Sequence, residues 1–123
     1  MPQLVIVADD LTGAADTGAC FADIGLTAAV HLSGATVPDA DVVVLSTESR
    51  DISASEAAHA VTEAVSRVIK SFGGQNSGSK VSSGPNCVLF YKKIDSALRG
   101  HPRDELFAVM DAIGATRALV APA

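Results

Sequence analysis

Three polar clusters in this sequence carry residue types suited to a small hydroxylated acid. They are Asp9-Asp10-Leu11-Thr12-Gly13, Thr47-Glu48-Ser49-Arg50 and Lys92-Lys93-Ile94-Asp95-Ser96-Ala97-Leu98-Arg99-Gly100. Carboxylates accept hydrogen bonds from sugar hydroxyls, and the planar fork of an arginine matches a carboxylate bidentately. A helix starting near Gly13 adds a dipole that favours an anion. Blander roles compete for the same residues: Asp9 and Asp10 also suit a helix cap and a solvated turn, and Lys92-Lys93 a solvated pair. Adjacent strand residues face opposite ways, so one lysine at most points inward, and Lys93, nearer the loop, is the one expected at a site. Arg99 before Gly100 makes little core contact at a loop apex, and the glycine lets a ligand approach closely.

Each cluster follows an apolar run that must position it. Leu4-Val5-Ile6-Val7-Ala8 is short and continuously apolar, as in a strand buried on both faces. Thr12 is the expected N-cap of a helix over 12–24, with Ala15, Ala19, Ala22 and Phe21 on its packed side and Gly25 as its stop. Further strands are expected at 28–32 and 42–45. Ser53 and Glu56 form a capping box, after which Ala57, Val61, Ala64, Val65, Val68 and Phe72 recur at helical spacing up to Gly73. Segment 73–86, rich in Gly, Ser and Asn, reads as a flexible loop. Its 73–80 portion imitates a phosphate-binding loop, but it follows a helix and misplaces its lysine, which rejects that role. A fourth strand is expected at 87–91, a helix opening at Pro102 and stopped by Gly114, and a fifth strand at 118–121.

Strands alternating with helices predict an α/β fold, a mainly parallel open sheet of about five strands with helices on both faces in a Rossmann-like three-layer arrangement. Ligands bind such sheets beyond the carboxyl ends of the strands, which is where all three clusters fall.

The 123 residues suffice for one domain, 1–123, and not for two. With 48% hydrophobic and 19% charged residues, the chain is apolar enough that part of its surface is expected to meet a partner. A net charge of -5 and only 4% aromatic residues argue against nucleic acid, which needs basic groups and stacking platforms. Cys20 and Cys87 lack a CxxC or histidine neighbour, and His31, His59 and His101 share no metal-ligand spacing, so no metal site is expected. No leader pattern and no run of about 18 apolar residues occurs, so a cytoplasmic protein without a membrane partner is expected. The chain stops at Ala121-Pro122-Ala123, where a fifth strand would feed its own functional loop, and a fragment of a longer protein is therefore expected.

Together these motifs resemble the four-carbon acid sugar kinases. The likeness rests on Ala8-Asp9-Asp10-Leu11-Thr12-Gly13-Ala14 with Asp16, Thr47 with Ser49-Arg50, Lys92 through Gly100, and Ala118-Leu119-Val120-Ala121-Pro122-Ala123. It spans nearly the whole chain but only that family's amino-terminal domain. The resemblance implies a domain that holds a threonate-like, erythronate-like or oxo-tetronate acid. ATP and Mg²⁺ would bind a carboxyl-terminal domain absent from this chain. It further implies that Asp9, Asp10, Thr12 and Gly13 line the substrate pocket, that Ser49 and Arg50 contact the acid, and that Lys93, Asp95, Ser96 and Arg99 complete the pocket. Asp9 or Asp10 would take the hydroxyl proton and Arg99 would neutralise charge. The sequence departs from the family at Ala97, where Thr is commoner, and at His101-Pro102-Arg103.

Two other readings compete. A stand-alone module would bind a small acid without turnover. A receiver domain would share the acid pair and the lysine, but it needs an aspartate where Ser46-Thr47 ends the third apolar run. Association with further copies of the chain remains open at this level.

Overall fold

The computed structural model describes residues 1–72 and 87–122. Four strands, β1 (Leu4–Ala8), β2 (Ala28–His31), β3 (Val42–Ser46) and β4 (Leu89–Lys92), form one parallel sheet in the order β2-β3-β1-β4. Helix α1 (Leu11–Ala22) covers one face, and α2 (Ala54–Ser71) and α3 (Pro102–Ile113) cover the other.

The apolar runs of β1 and β3 are buried along their whole length because both strands sit mid-sheet under helices on either side. Their residues alternate between layers. Val5, Val7, Val43 and Leu45 pack with Val61, Val65, Val68, Ala108 and Val109, whereas Leu4, Ile6, Val42 and Val44 pack with Ala14. Each buried Val, Leu or Ile contributes about 1.5–3 kcal/mol relative to exposure.

Helix α2 has the predicted capping box, with Ser53 and Glu56 bonding to each other's backbone amides. Pro102 opens α3, and Gly114, with φ 69, ends it in the left-handed region. Helix α1 differs from expectation in its packed side. Ala14 and Gly18 are buried, while Ala15, Ala19 and Ala22 are exposed. A β-carbon on Gly18 would lie 3.2 Å from Val44 Cγ2, so the helix seats on its smallest residue, which alanine spacing alone did not reveal.

The sheet has four strands among the described residues. Segment 118–121 pairs with nothing, and Leu119 is 97% exposed. Among the described residues this run is paired with no strand. At the end of the described sheet β4 pairs, among the described residues, with β1 alone, and Leu89 and Tyr91 stand exposed because α1 packs on β1, β2 and β3. Segment 73–86, with the rejected phosphate-loop look-alike, lies outside the described residues.

Candidate functional site

β1 lies between β3 and β4, so the loops that follow these three strands emerge side by side. After Ala8 the chain turns, and Asp10, in extended conformation, accepts from Gly13 N at 2.9 Å through Oδ1. Asp10 is therefore the cap of α1, and Thr12 is an exposed first-turn residue, because only a side chain just ahead of the helix reaches back to that amide. A β-carbon on Gly13 would meet Asp10 Oδ1 at 2.7 Å, so the cap depends on glycine there.

The loop after β3 is tied to β1 by its backbone. Ser49 N donates to Asp9 O at 2.9 Å, and Thr47 Oγ1 donates to Ala8 O at 3.0 Å. This places the Arg50 guanidinium over the two aspartates. Its Nε and Nη2 grip Asp9 at 3.2 and 3.0 Å, its Nη1 lies 3.0 Å from Asp10 Oδ2, and its Nη2 lies 3.5 Å from Asp95 Oδ1. The Asp9 hydrogen bond chiefly raises Arg50 above its ordinary pKa.

In the loop after β4, Asp95 accepts from the backbone of Ala97 and Arg99 at 3.0 and 3.2 Å. It also binds the Arg99 fork at 3.0 and 2.9 Å. Those bonds, led by the Arg99 side chain, hold the Asp95 carboxyl well below the usual carboxylate range. Gly100, with φ 80, brings the loop against the aspartates: a β-carbon there would sit 2.6 Å from Asp9 Oδ2. Glu48 and Leu98 also hold positive φ, at 48 and 57°, a conformation that costs side-chain-bearing residues energy and clusters at functional loops. His101 Nε2 donates to Ile52 O at 2.5 Å and clasps the two loops together.

The result is a hollow of about 410 Å³ lined by Asp9, Asp10, Glu48, Arg50, Asp51, Arg99 and Gly100. Of the residues singled out from sequence, Asp9, Asp10, Arg50 and Arg99 share it. Asp95 lies beneath and holds both arginines, and Gly13 sits behind Asp10. Lys93 runs past Gly13 and donates from Nζ to Ile94 O at 2.6 Å. Thr12 and Ser96 are exposed and outside the lining. Ser49 is fully buried and donates inward to Glu105. Glu48, which stood in the second cluster without a role, and Asp51, just beyond it, also line the hollow.

Beneath the hollow lies a pair that sequence reasoning missed. Lys92 and Glu105 side chains are 4% and 1% exposed and 3.6 Å apart. Burial pushes the Lys92 ammonium below its ordinary pKa, with Glu105 opposing. From Glu105 the chain of contacts runs through Ser49 to Thr47 Oγ1, 2.7 Å further on. Glu105 stands in the first turn of α3, and nothing in its spacing marked it as buried.

An open parallel sheet with helices on both faces and a polar hollow at the strand ends on either side of β1 is an α/β domain of the doubly wound kind, an architecture in which ligands generally bind at that place. The chain belongs to the sugar-binding N-terminal domain family, whose model matches residues 4–123, the amino-terminal domain of four-carbon acid sugar kinases.

Similar proteins include a D-threonate kinase of Salmonella typhimurium, 38% identical over 98% of this chain and 26% of that protein. A D-erythronate kinase of Heliobacterium modesticaldum is 35% identical over 93% of this chain and 24% of its own length. This chain thus spans about a quarter of the length of the curated relatives it matches. Among solved structures, a domain of unknown function from Bordetella bronchiseptica, a domain-swapped dimer with bound citrate, aligns with TM-score 0.67 and 33% identity. The alignment covers 90% of this chain and 26% of that one.

Proposed function

We propose that residues 1–123 form the amino-terminal domain of an ATP-dependent kinase and hold a four-carbon sugar acid for phosphorylation on a hydroxyl. The observation that carries this reading is the convergence of Asp9, Asp10, Arg50 and Arg99 on one hollow. The names of the relatives supply the substrate class, D-threonate and D-erythronate.

Phosphoryl transfer depends on positioning and charge neutralisation more than on covalent help, so a domain that orients the acceptor contributes directly to catalysis. The two aspartates divide the work. Asp9, its side chain 5% exposed and gripped on both oxygens by Arg50, fixes the arginine. Asp10, 26% exposed at the hollow, is the better placed to take the proton of the attacking hydroxyl. Arg99, 64% exposed and engaged with Asp95 along one edge, offers its remaining N–H groups to the acid.

Bound ATP with Mg²⁺ would supply the phosphoryl group. Among the described residues no three His, Cys, Asp or Glu side chains are grouped to hold a metal ion; in this reading Mg²⁺ arrives with ATP at a carboxyl-terminal domain. No helix among the described residues is long and apolar enough to cross a membrane. A cytoplasmic location suits an ATP-dependent enzyme, and a second copy is a further candidate partner, given the domain-swapped neighbour.

Calorimetry with D-threonate and D-erythronate tests the reading. Arg99→Ala is expected to weaken binding about tenfold or more, as for loss of a charge-assisted hydrogen bond. Equal affinity of mutant and wild type for both acids would overturn it.

A further inference from the structure

A second, smaller cavity of about 80 Å³ opens on the other side of β3 from the hollow, where the ends of β2 and β3 meet α2. Its wall includes His31, Ser46, Thr47, Glu63, Ala64 and Arg67. None of these lines the hollow.

His31 makes this cavity unusual. It ends β2, pairs in register with Leu45 and so projects toward the α2 layer, where it is 5% exposed. Neither Nδ1 nor Nε2 has a hydrogen-bond partner among the described residues. Buried polar atoms are seldom left orphaned, and an imidazole always has at least one N–H to donate.

The neighbouring hydroxyls cannot satisfy that ring with their own protons. Ser46 donates to Glu48 at 2.5 Å, and Thr47 Oγ1 is engaged with Ala8 O and Ser49. Charge enters at the mouth. Arg67 and Glu63 are both exposed there and both screened by solvent, and what separates them is that Glu63 lies 3.8 Å from His59. The space suits a few waters or one group the size of a carboxylate or phosphate.

We propose that this cavity is a second ligand site that takes a small oxyanion, the carboxylate or phosphate group of a small molecule, with Arg67 meeting its charge and His31 donating from the floor. The site stands apart from the sugar-acid reading and does not depend on it.

Inorganic phosphate and, in a separate arm, acetate are titrated at fixed pH into the isotopically labelled chain. The His31 ring nitrogens and the amides of Ser46 and Thr47 are followed by NMR. Saturable shifts there with phosphate identify a phosphate site, and stronger ones with acetate a carboxylate site. Arg67→Gln, a change on an exposed helix face, is expected to weaken binding about tenfold by removing a charge-assisted contact. Three outcomes overturn the proposal: no saturable shift at His31 with either probe, shifts confined to Asp9, Arg50 and Arg99, or equal affinity in Arg67→Gln. Water alone in the cavity gives the first of these.

Discussion

The hollow and the buried pair beneath it use the same chemical vocabulary with opposite consequences. At the rim, Arg50 serves three carboxylates and Arg99 shares one of them, so Arg50 and Asp95 each have more than one partner and the cluster reaches solvent at Arg99 and Asp10. Below, Lys92 has one carboxylate, Glu105, whose Oε2 has no hydrogen-bond partner among the described residues. A multiply partnered cluster tolerates rearrangement around a ligand. An isolated buried pair locks the elements it joins, here β4, α3 and, through Ser49, the loop bearing Arg50.

The strongest way to break this contrast is Glu105→Ala. It strands a buried ammonium and is expected to cost about 3–5 kcal/mol. Urea unfolding measures the loss, and a cost below about 1 kcal/mol would place the pair among ordinary surface ion pairs. The double variant Lys92→Met with Glu105→Leu removes both charges and is expected to come close to wild-type stability, since hydrophobic replacement of a buried pair is often neutral.

Next comes Gly100→Ala. The new methyl group would meet Asp9 at 2.6 Å in a backbone conformation with φ 80. A cost of about 1–3 kcal/mol is expected, together with weaker sugar-acid binding, because the loop must withdraw from the aspartates. Unchanged binding would separate the loop's position from the hollow's function.

The smallest effect is on acid stability. The folded Asp95 carboxyl lies below its ordinary value of 3.8, so the unfolded chain takes up that proton first as pH falls. The stability Asp95 contributes is fully present above that value and is lost as pH drops through it toward the folded pKa. Asp95→Asn should lose that contribution at neutral pH, where it is present, and flatten the acid limb of a stability-versus-pH curve. An equally steep limb in the variant would assign acid sensitivity to other carboxylates.

Much of this architecture was legible in the sequence, for identifiable reasons. β1 and β3 announced themselves because strands covered on both faces are almost wholly apolar, and the Ser53–Glu56 box marked the start of α2 by its own hydrogen bonds. The clusters reached one rim because each followed a parallel strand, and all parallel strands point their carboxyl ends the same way. Lateral information was harder to read. Adjacent Lys92 and Lys93 part because strand side chains alternate, yet no pattern told which of them met α3. Ser49 turned toward Glu105, although its place in the motif suggested the pocket. Thr12 looked like a cap, while Asp10, two residues earlier, took that place. Segment 118–121 had the composition of a strand, but among the described residues it pairs with none.

That β4 closes the described sheet on one side only has a bearing on handling. An edge strand exposes a row of unsatisfied N–H and C=O groups, and here Leu89 and Tyr91 add apolar surface beside it. Such an edge is a template on which another extended segment can lay down a further rung. How well this chain stays dispersed in solution therefore depends on what covers that border.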